Sequence, residues 1–583
     1  MNISDVEKKT GLPSTAIRYY ESRGLISVKR KENGYRDYDE KSVALLLKIR
    51  LLRELEIPLS DIRLWRDGVL SENELIAKRL RTLDDDGKKS RDRRAICEAL
   101  LRGEYRGESP PFSDAFHEED TAETAVFDCP LLLGIDIGTT TISAQVVASD
   151  SGTTVQTYNF DHNAALVLED YPDAFAADAE KLIGRAMALV ASVVDTYPTI
   201  ASIGIAGQMH GVIAIDEAGK ILSPLYTWQN QFGQRRLDGG KTVCEEILDA
   251  CGESIPTGYG VTTCYAMKKL GILPERTARL VSVTDLFAAY LTGTAPKLHA
   301  TNAAAMGAFD LTQQCFKKDV LDRLGISPSL FPELLCDYSV VGRYAAQERR
   351  IPVAVAIGDN QAGMFGSLSG ECFALVNVGT GSQVSIVTDD PTPSHEGEVR
   401  PYFDGLFIRS GAALCGGGAY ALLKDLIRSV IADFGVTASD RVVYDYLNRM
   451  AEIGMSSPLT VKTTFGGTRA DPSQKGEIRE ISLHNFTPAT LSAGILRGIA
   501  EELFGMYSLM YPKGDTDAIV ASGNAIRKNS ALQKIIAEVF GIRLLIPCHT
   551  EEAAFGAALF GGVSAGLLTR EESFHKIQYV SMD

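Results

Sequence analysis

Leu131-Leu-Leu-Gly134-Ile-Asp136-Ile-Gly138-Thr139-Thr140-Thr141, followed by the alternating run Ile142 to Val147, reads as a strand, a tight Gly-Thr turn and a second strand. Ala374-Leu-Val-Asn-Val-Gly379-Thr380-Gly381-Ser382 and Val384-Ser-Ile-Val387 read the same way. Glycine lets backbone N–H groups approach a phosphate closely, and flanking hydroxyls add donors. One such hairpin in each half of the chain predicts an internally duplicated α/β fold. Its two turns would clamp phosphates from both sides through Gly138, Thr139, Thr140, Gly379, Thr380 and Gly381.

A chain of 583 residues is too long for one core and predicts about three domains. Hydrophobic content of 45% and charged content of 23% exclude a disordered or fibrous chain. No apolar run reaches the roughly 18–20 residues of a membrane span, and Met1-Asn-Ile-Ser-Asp-Val-Glu-Lys-Lys lacks the order of a signal peptide. Ten cysteines without C-x-x-C spacing argue for free thiols in a reducing compartment. The expectation is a cytoplasmic protein with no membrane partner.

The net charge of −16 is unevenly divided. Residues 1–107 carry 24 Lys and Arg against 19 Asp and Glu, and the remainder carries 35 against 56. A basic head on an acidic body points to nucleic acid. Ser4-Asp-Val-Glu7 reads as a capping box opening a helix that Gly11 ends, and Pro13-Ser14-Thr15 starts a second helix closed by Gly24. Two short helices joined by a tight turn can set the second in the major groove. Asn33-Gly34 then predicts a hairpin, a basic wing beside the helix. A longer helix is expected from about Glu40 to Leu55 and another after the cap Ser60. Ser71 to Arg102 is helix-prone with a thin apolar stripe of Leu75, Ile76, Leu80, Leu83, Ile96 and Leu100, which suits a helix pair between subunits of a homodimer. A solvated connector is the alternative.

Thr10-Gly-Leu, Ile17-Arg-Tyr-Tyr-Glu21, Gly24-Leu25 and Asn33-Gly-Tyr-Arg-Asp-Tyr38 resemble the MerR family of transcription regulators. That resemblance implies a double-stranded DNA operator as partner, with Arg18, Tyr19, Tyr20, Tyr35 and Arg36 facing phosphates or the groove. Base edges would be read from the start of the second helix. There the family often carries a basic residue, where this chain has Thr15.

Residues 103–129, with Ser109-Pro-Pro-Phe and an acidic cluster, read as a linker. In the body, a helix is expected from Asp178 to Thr196, then an apolar strand Ile200 to Ala206 ending in Gly207-Gln208-Met209-His210-Gly211. Polar side chains at the end of a buried strand point into a cleft in α/β folds. Ile351 to Ile357 is a second buried strand, delivering Gly358-Asp359 just before a helix. A carboxylate there is either a general base or a helix N-cap. Asp136 is either a residue orienting a cation or a turn-stabilising aspartate. Leu414-Cys-Gly416-Gly417-Gly418 opens a helix whose N-terminus favours anions, and Ile519 to Ala525, with Gly523-Asn524, ends a strand. The small-residue helix Glu551 to Phe560 reads as close packing.

Gly207-Gln-Met-His-Gly211, Thr227-Trp228-Gln-Asn230 and Gly358-Asp359-Asn360-Gln361-Ala362-Gly363, in that order among the phosphate hairpins, resemble the FGGY family of carbohydrate kinases across residues 130–570. Sedoheptulokinases are the nearest pattern, xylulokinases next. The resemblance implies an actin/hexokinase-like (RNase H-like) two-domain α/β kinase, preceded by an all-α winged helix-turn-helix domain. Residues 1–70 would be the winged domain, 71–102 the dimerisation segment, 130–367 the sugar-side domain and 368–570 the nucleotide-side domain. It further implies ATP and Mg²⁺ as cofactors, Asp359 as base, Asp136 at the metal, and a sugar held by Gln208, Met209, His210, Trp228, Asn230 and Asp359. Gly417, Gly418, Gly523 and Asn524 would complete the nucleotide pocket. Xylulokinase-like members continue Trp-x-Asp-x-Arg, where this chain has Trp228-Gln-Asn230-Gln-Phe232, so the sugar stays open. The competing reading is a sugar-sensing transcription regulator with a weak or inactive kinase body.

Overall fold

Each Gly-Thr turn joins the first two strands of a seven-stranded sheet, and the two sheets share one strand order. The computed structural model describes residues 1–30, 34–83, 88–105, 128–370, 372–392, 397–468, 471, 473–511 and 516–581. In the first sheet the order is Val340–Ala346, Arg349–Ala354, Ile200–Gly207, Leu131–Ile137, Thr141–Ala148, Thr154–Asp161, with Ile357–Gly358 also paired to Ile200–Gly207. In the second it is Glu398–Pro401, Phe407–Ala413, Ser382–Thr388, Ala374–Val378, Ala518–Ser522, Arg543–Pro547, Tyr579–Ser581. In both, the strand before the Gly-Thr turn is antiparallel to the strand after it and parallel to a much later one. Duplication is thus present in the hydrogen bonding itself.

The two halves are joined by a helix belonging to the second. Glu552–Ser564 lies flat on the first sheet, because Gly134 and Gly204 leave no side chain beneath it. A Cβ on Gly134 would fall 1.9 Å from the Ala554 carbonyl oxygen, and one on Gly204 1.7 Å from that of Ala557. The same helix meets Asp359–Ser367 backbone to backbone, since a Cβ on Gly556 would sit 1.9 Å from the Ala362 oxygen. Phe365, Phe403 and Phe560 are buried together beside this crossing. The reading of Glu551 to Phe560 as close packing matches this geometry.

Helix Ala179–Thr196 starts from the Asp178 cap as expected. The run Ile351 to Ile357 is broken: Arg349–Ala354 is followed by a separate two-residue strand, Ile357–Gly358.

In the head, helices Ile3–Thr10 and Ser14–Ser22 form the helix-turn-helix, and Lys29–Arg30 pairs with Arg36–Asp37 as the wing. Asn33 of the wing turn and most of the 103–129 linker lie outside the described residues. Two caps differ from expectation. Asn2, not Ser4, caps the first helix, with Asp5 closing the box, and Leu59–Arg66 starts after Pro58, so Ser60 lies inside it. Proline at that position forfeits no bond that the helix needs. The 71–102 stretch forms two helices, Glu72–Thr82 and Lys88–Leu101, and part of its stripe is buried within one chain while Leu80, Ile96 and Leu100 stay half-buried. Leu75, Ile76 and Leu83 are buried with Leu52, Leu55 and Cys97. The stripe looked thin because Leu52 and Leu55 come from a neighbouring helix.

Gly204→Ala is expected to destabilise by at least about 1–3 kcal/mol, because helix backbone has nowhere to move. Gly184→Ala, inside Ala179–Thr196 with nothing within 4 Å of the new Cβ, is expected to stabilise by about 0.4–1 kcal/mol. Urea unfolding of both variants against the parent checks the two opposite signs.

Candidate active site

The first turn is held by its carbonyls. Gln208 Nε2 donates to Gly138 O at 3.2 Å, His162 Nε2 donates to Thr139 O at 2.8 Å, and the His162 N–H donates to Thr140 O at 3.0 Å. The buried His162 ring accepts from the Ala164 N–H at Nδ1, which fixes the neutral tautomer, and burial keeps its pKa below the usual value. Trp228 Nε1 donates to Thr139 Oγ1 at 2.9 Å, while Thr140 stays exposed. In the second turn the N–H groups of Gly417 and Gly418 donate to Gly379 O and Thr380 O at 2.9 and 2.8 Å. These helix N-terminal donors, expected to favour an anion, instead fasten the helix to the turn. Gly381 and Gly523 support that turn from below: a Cβ on each would fall 3.2 and 2.5 Å from the carbonyls of Ala413 and Val378. Gly523 also has φ +97°, which a side chain would resist.

Where the domains join, the charges of two carboxylates, Asp359 and Glu551, act on a third, Asp136. Asp136 ends the strand Leu131–Ile137, Asp359 begins the helix Asp359–Ser367, and Glu551 precedes Glu552–Ser564 in a left-handed conformation, φ +55°. Gly358, not Asp359, is the N-cap residue. Burial, then the charges of Asp359 and Glu551, push Asp136 up to about 8. Burial likewise raises Asp359, although the Asn360 N–H donates to its Oδ1 at 2.7 Å and Arg400 opposes the rise. Ser143 Oγ and Asn159 Nδ2 donate to Glu551 at 2.7 and 2.9 Å, fastening it to the first domain. Asp359 is held in register by two donors: the Gly358 N–H reaches Thr301 Oγ1 at 3.1 Å, and Asn302 Nδ2 reaches Ala356 O at 3.2 Å.

Asp136 Oδ1 is buried with no hydrogen-bond partner, which fits a hydrated divalent cation shared with phosphates. Among the described residues no cluster of three or more acidic, His or Cys side chains could cage an ion without phosphate oxygens. Mg²⁺ therefore fits as a guest of Asp136 and the nucleotide together.

Two cavities are lined by residues of the quoted motifs. One of about 820 Å³ belongs to the second domain and is lined by Gly379, Thr380, Gly417, Gly418, Asn524 and Tyr444. The other, about 240 Å³, is lined by Met209, His210, Tyr259, Thr301, Glu398 and Arg400, among others. His210 Nδ1 donates to Ala305 O at 2.9 Å and its backbone holds φ +72°, a strained value for a non-glycine residue at a cavity wall.

The expected sugar contacts divide. Met209 and His210 line the smaller cavity, whereas Gln208 and Trp228 serve the phosphate turn. Asn230 is fully buried, and its Oδ1 accepts the Phe232 N–H at 2.7 Å, so it shapes its own loop and does not reach the cavity. The residues that sequence reading passed over are Tyr259, Glu398 and Arg400. Tyr259 Oη donates to Glu398 Oε1 at 2.7 Å and Arg400 Nη2 to Glu398 Oε2 at 2.8 Å, a bridge from one domain to the other.

On the head, Thr15 and Arg18 are exposed, Tyr35 is 75% exposed and Tyr19 is half-buried. Tyr20 is fully buried in the head core, so the expectation that it faces DNA is corrected. The helical periodicity that brings Arg18 outward turns Tyr20 inward. Arg36 is paired with Glu21 at 2.6 Å.

Residues 131–366 match the N-terminal domain of the FGGY family of carbohydrate kinases, residues 374–565 match its C-terminal domain, and residues 1–68 match the MerR HTH family regulatory protein. The chain belongs to the FGGY family and is a sugar phosphotransferase carrying a MerR-type helix-turn-helix head. It is 24% identical to a sedoheptulokinase of Mus musculus over 474 residues, 74% of this chain and 97% of that one. It is 22% identical over 452 residues to a xylulose kinase of Staphylococcus xylosus, 74% of this chain and 90% of the relative. The fold matches the xylulose kinase structure from Rhodospirillum rubrum with TM-score 0.66 at 18% identity, over 78% of this chain and 94% of that one. A gluconate kinase from Lactobacillus acidophilus gives 0.65 at 16%, over 77% and 92%. Among the described residues no helix is long and apolar enough to cross a membrane.

Because Asp136 is raised in the folded chain, its contribution to stability is present below the ordinary carboxylate pKa and lost as pH climbs towards 8. Without nucleotide or divalent cation, Asp136→Asn is expected to gain on the parent between pH 5 and pH 8. Thermal midpoints of both proteins across that range check the sign.

Proposed function

We propose that this chain transfers the γ-phosphoryl group of ATP to a hydroxyl of a ketose, sedoheptulose-like or xylulose-like, with Asp359 as general base. The observation that carries the reading is the setting of Asp359: it follows Gly358, which is bonded to Thr301 and packed on Met209 of the smaller cavity's wall, its charge acts on Asp136, and burial makes it more basic. The sugar hydroxyl gives its proton to Asp359 while its oxygen bonds to the γ-phosphorus. The bond from that phosphorus to the bridging oxygen breaks, and ADP leaves. Bound Mg²⁺, held through Asp136, would neutralise charge on the phosphates.

Sugar-dependent ADP release with Mg·ATP, run against sedoheptulose, xylulose and ribulose, tests this. Asp359→Asn is expected to lower kcat about 10²–10⁴-fold with sugar binding retained. Undiminished turnover in that variant sinks the assignment.

The head is proposed to bind a double-stranded operator as a homodimer and to report occupancy of the cleft. One chain of contacts favours that second reading. Arg185 pairs with Glu74 at 2.6 Å and donates to Val69 O at 2.9 Å, both on the head. It also donates to His162 O at 3.3 Å, and His162 holds Thr139 of the phosphate turn. Burial would raise Glu74, yet Arg185 and its other donors bring it down to about 2, so the pair stays charged at neutral pH. Ser192 Oγ donates to Asp67 at 2.6 Å and Arg81 pairs with Asp161 at 2.6 Å along the same seam.

In gel shifts against the chain's own upstream DNA at fixed salt, Arg18→Ala is expected to weaken binding and to reduce the salt slope by about 1. Sugar plus ADP is expected to change operator affinity in the parent and not in Arg185→Ala. Ligand-independent affinity in the parent dismisses the coupling.

A further inference from the structure

The smaller cavity has a wall that comes from the other domain. Glu398 and Arg400 stand on strand Glu398–Pro401, the edge of the second sheet, yet both line the cavity with Met209, His210, Tyr259 and Thr301 of the first domain. Strand alternation puts the two on one face. Arg400 is largely buried: Nη2 binds Glu398, Nη1 lies 3.8 Å from Met209 Sδ, and Nε is buried with no partner. The cation that the xylulokinase pattern would supply after Trp228 is missing, since Phe232 is core. Arg235, three residues on, does not line the cavity: its Nε and Nη2 donate to Asp173 at 2.7 and 2.6 Å, and its guanidinium lies over Tyr171. Among the described lining residues, Arg400 supplies the guanidinium.

We propose that Arg400 and Glu398 are the specificity-determining residues of this sugar kinase, Arg400 donating to and Glu398 accepting from hydroxyls of an uncharged polyhydroxylated chain beyond the reacting one. The proposal rests on the kinase reading above. A donor and an acceptor side by side match vicinal hydroxyls, and paired as they are they offer no net charge to an acidic sugar. Because the pair rides on the second domain, the sugar site is complete only when the two domains are together. The Arg400 charge also lowers the pKa of Asp359, so it acts on the base as well as on the sugar.

Calorimetric titration of the full chain with sedoheptulose, xylulose, ribulose and glycerol tests this, with ADP titrated in parallel as a control for folding. In Arg400→Met and in Glu398→Gln, sugar affinity is expected to fall about 10- to 100-fold, as for loss of a hydrogen bond to a charged group. ADP affinity should hold, and the ranking of the sugars should compress. The acid limb of kcat/KM is expected to move to higher pH in Arg400→Met, which a purely structural role would not produce. Arg400→Lys should recover part of the affinity and little of the ranking, since it keeps the charge without the fork. Parental affinity and ranking in both single variants overturn the proposal. Should either unfold, parental sugar affinity in the double variant E398Q/R400M, which leaves no unpaired charge, overturns it instead. Sugar bound without turnover by the parent defeats the kinase reading and leaves this assignment to be decided on affinity. No sugar bound by the parent overturns it.

Discussion

Everything in the kinase body depends on one backbone-to-backbone contact, the bed of Gly134 and Gly204 on which helix Glu552–Ser564 lies. The helix is wound by the second domain and seated on the first, so the two sheets cannot be positioned independently. The residue before the helix carries the consequence towards Asp136. Glu551 is tied by Ser143 and Asn159 to the first domain, and its charge acts on Asp136. Close packing of small residues therefore seats the second domain on the strand that leads into the first phosphate turn. A methyl group at either glycine would be felt at the site as well as in the core.

That arrangement stores electrostatic cost. Asp136 is buried where the charges of Asp359 and Glu551 further disfavour its own. Without cation and nucleotide, Asp136 relieves the repulsion by holding its proton. Bound phosphates and a divalent ion reverse the balance, because the ion's positive charge favours the ionised carboxylate. A buried acceptor left without a partner, as Asp136 Oδ1 is, belongs to such a reservoir. Asp359 is kept apart from this pairing by Arg400, which draws its pKa downwards while burial draws it up. Two aspartates of one kind thus receive different tasks from their surroundings.

Much of the fold was legible because its signals are local. Gly-Thr between two apolar runs specifies a hairpin wherever it occurs, and finding it twice predicted the duplicated sheets. The MerR-like head was legible for the same reason, through turn and cap residues at fixed offsets. What local patterns could not reveal is which side chains come together from distant segments. Asn230 and Tyr20 stand within the quoted motifs, yet each is fully buried. Glu398 and Arg400 lay in a short charged strand with no glycine signature, and only the docking of two domains makes them a cavity wall. Their one trace in sequence is an i, i+2 acid–base alternation, a pattern more often found on a solvated face. The buried part of the 71–102 stripe was unreadable for a like reason, since its partners Leu52 and Leu55 belong to another helix.

The same distinction between local and distant contacts explains how one chain can join a DNA-binding head to a sugar kinase. Among the described residues, the head's hydrogen bonds and ion pairs to the body reach neither the carboxylates nor the residues lining the two cavities. It rests on helix Ala179–Thr196 through Arg185 and Ser192, while the phosphate turn rests on His162, which Arg185 also binds. Arg185 therefore has acceptors on both sides, the Glu74 carboxylate and Val69 carbonyl of the head and the His162 carbonyl of the body. A guanidinium with several fixed donors keeps such a geometry only while all its acceptors stay in place. Movement of the Thr139 turn on binding phosphate would be transmitted to His162 first, and from there to the head through Arg185 and through the flanking Asp161–Arg81 and Asn163–Glu74 contacts. The seam joins charge pairs to apolar packing, since buried residues of the head and of the first domain form one continuous cluster. Packed and hydrogen-bonded contacts together can carry a displacement from one site to another, so the head has a physical route by which to register the state of the phosphate turn.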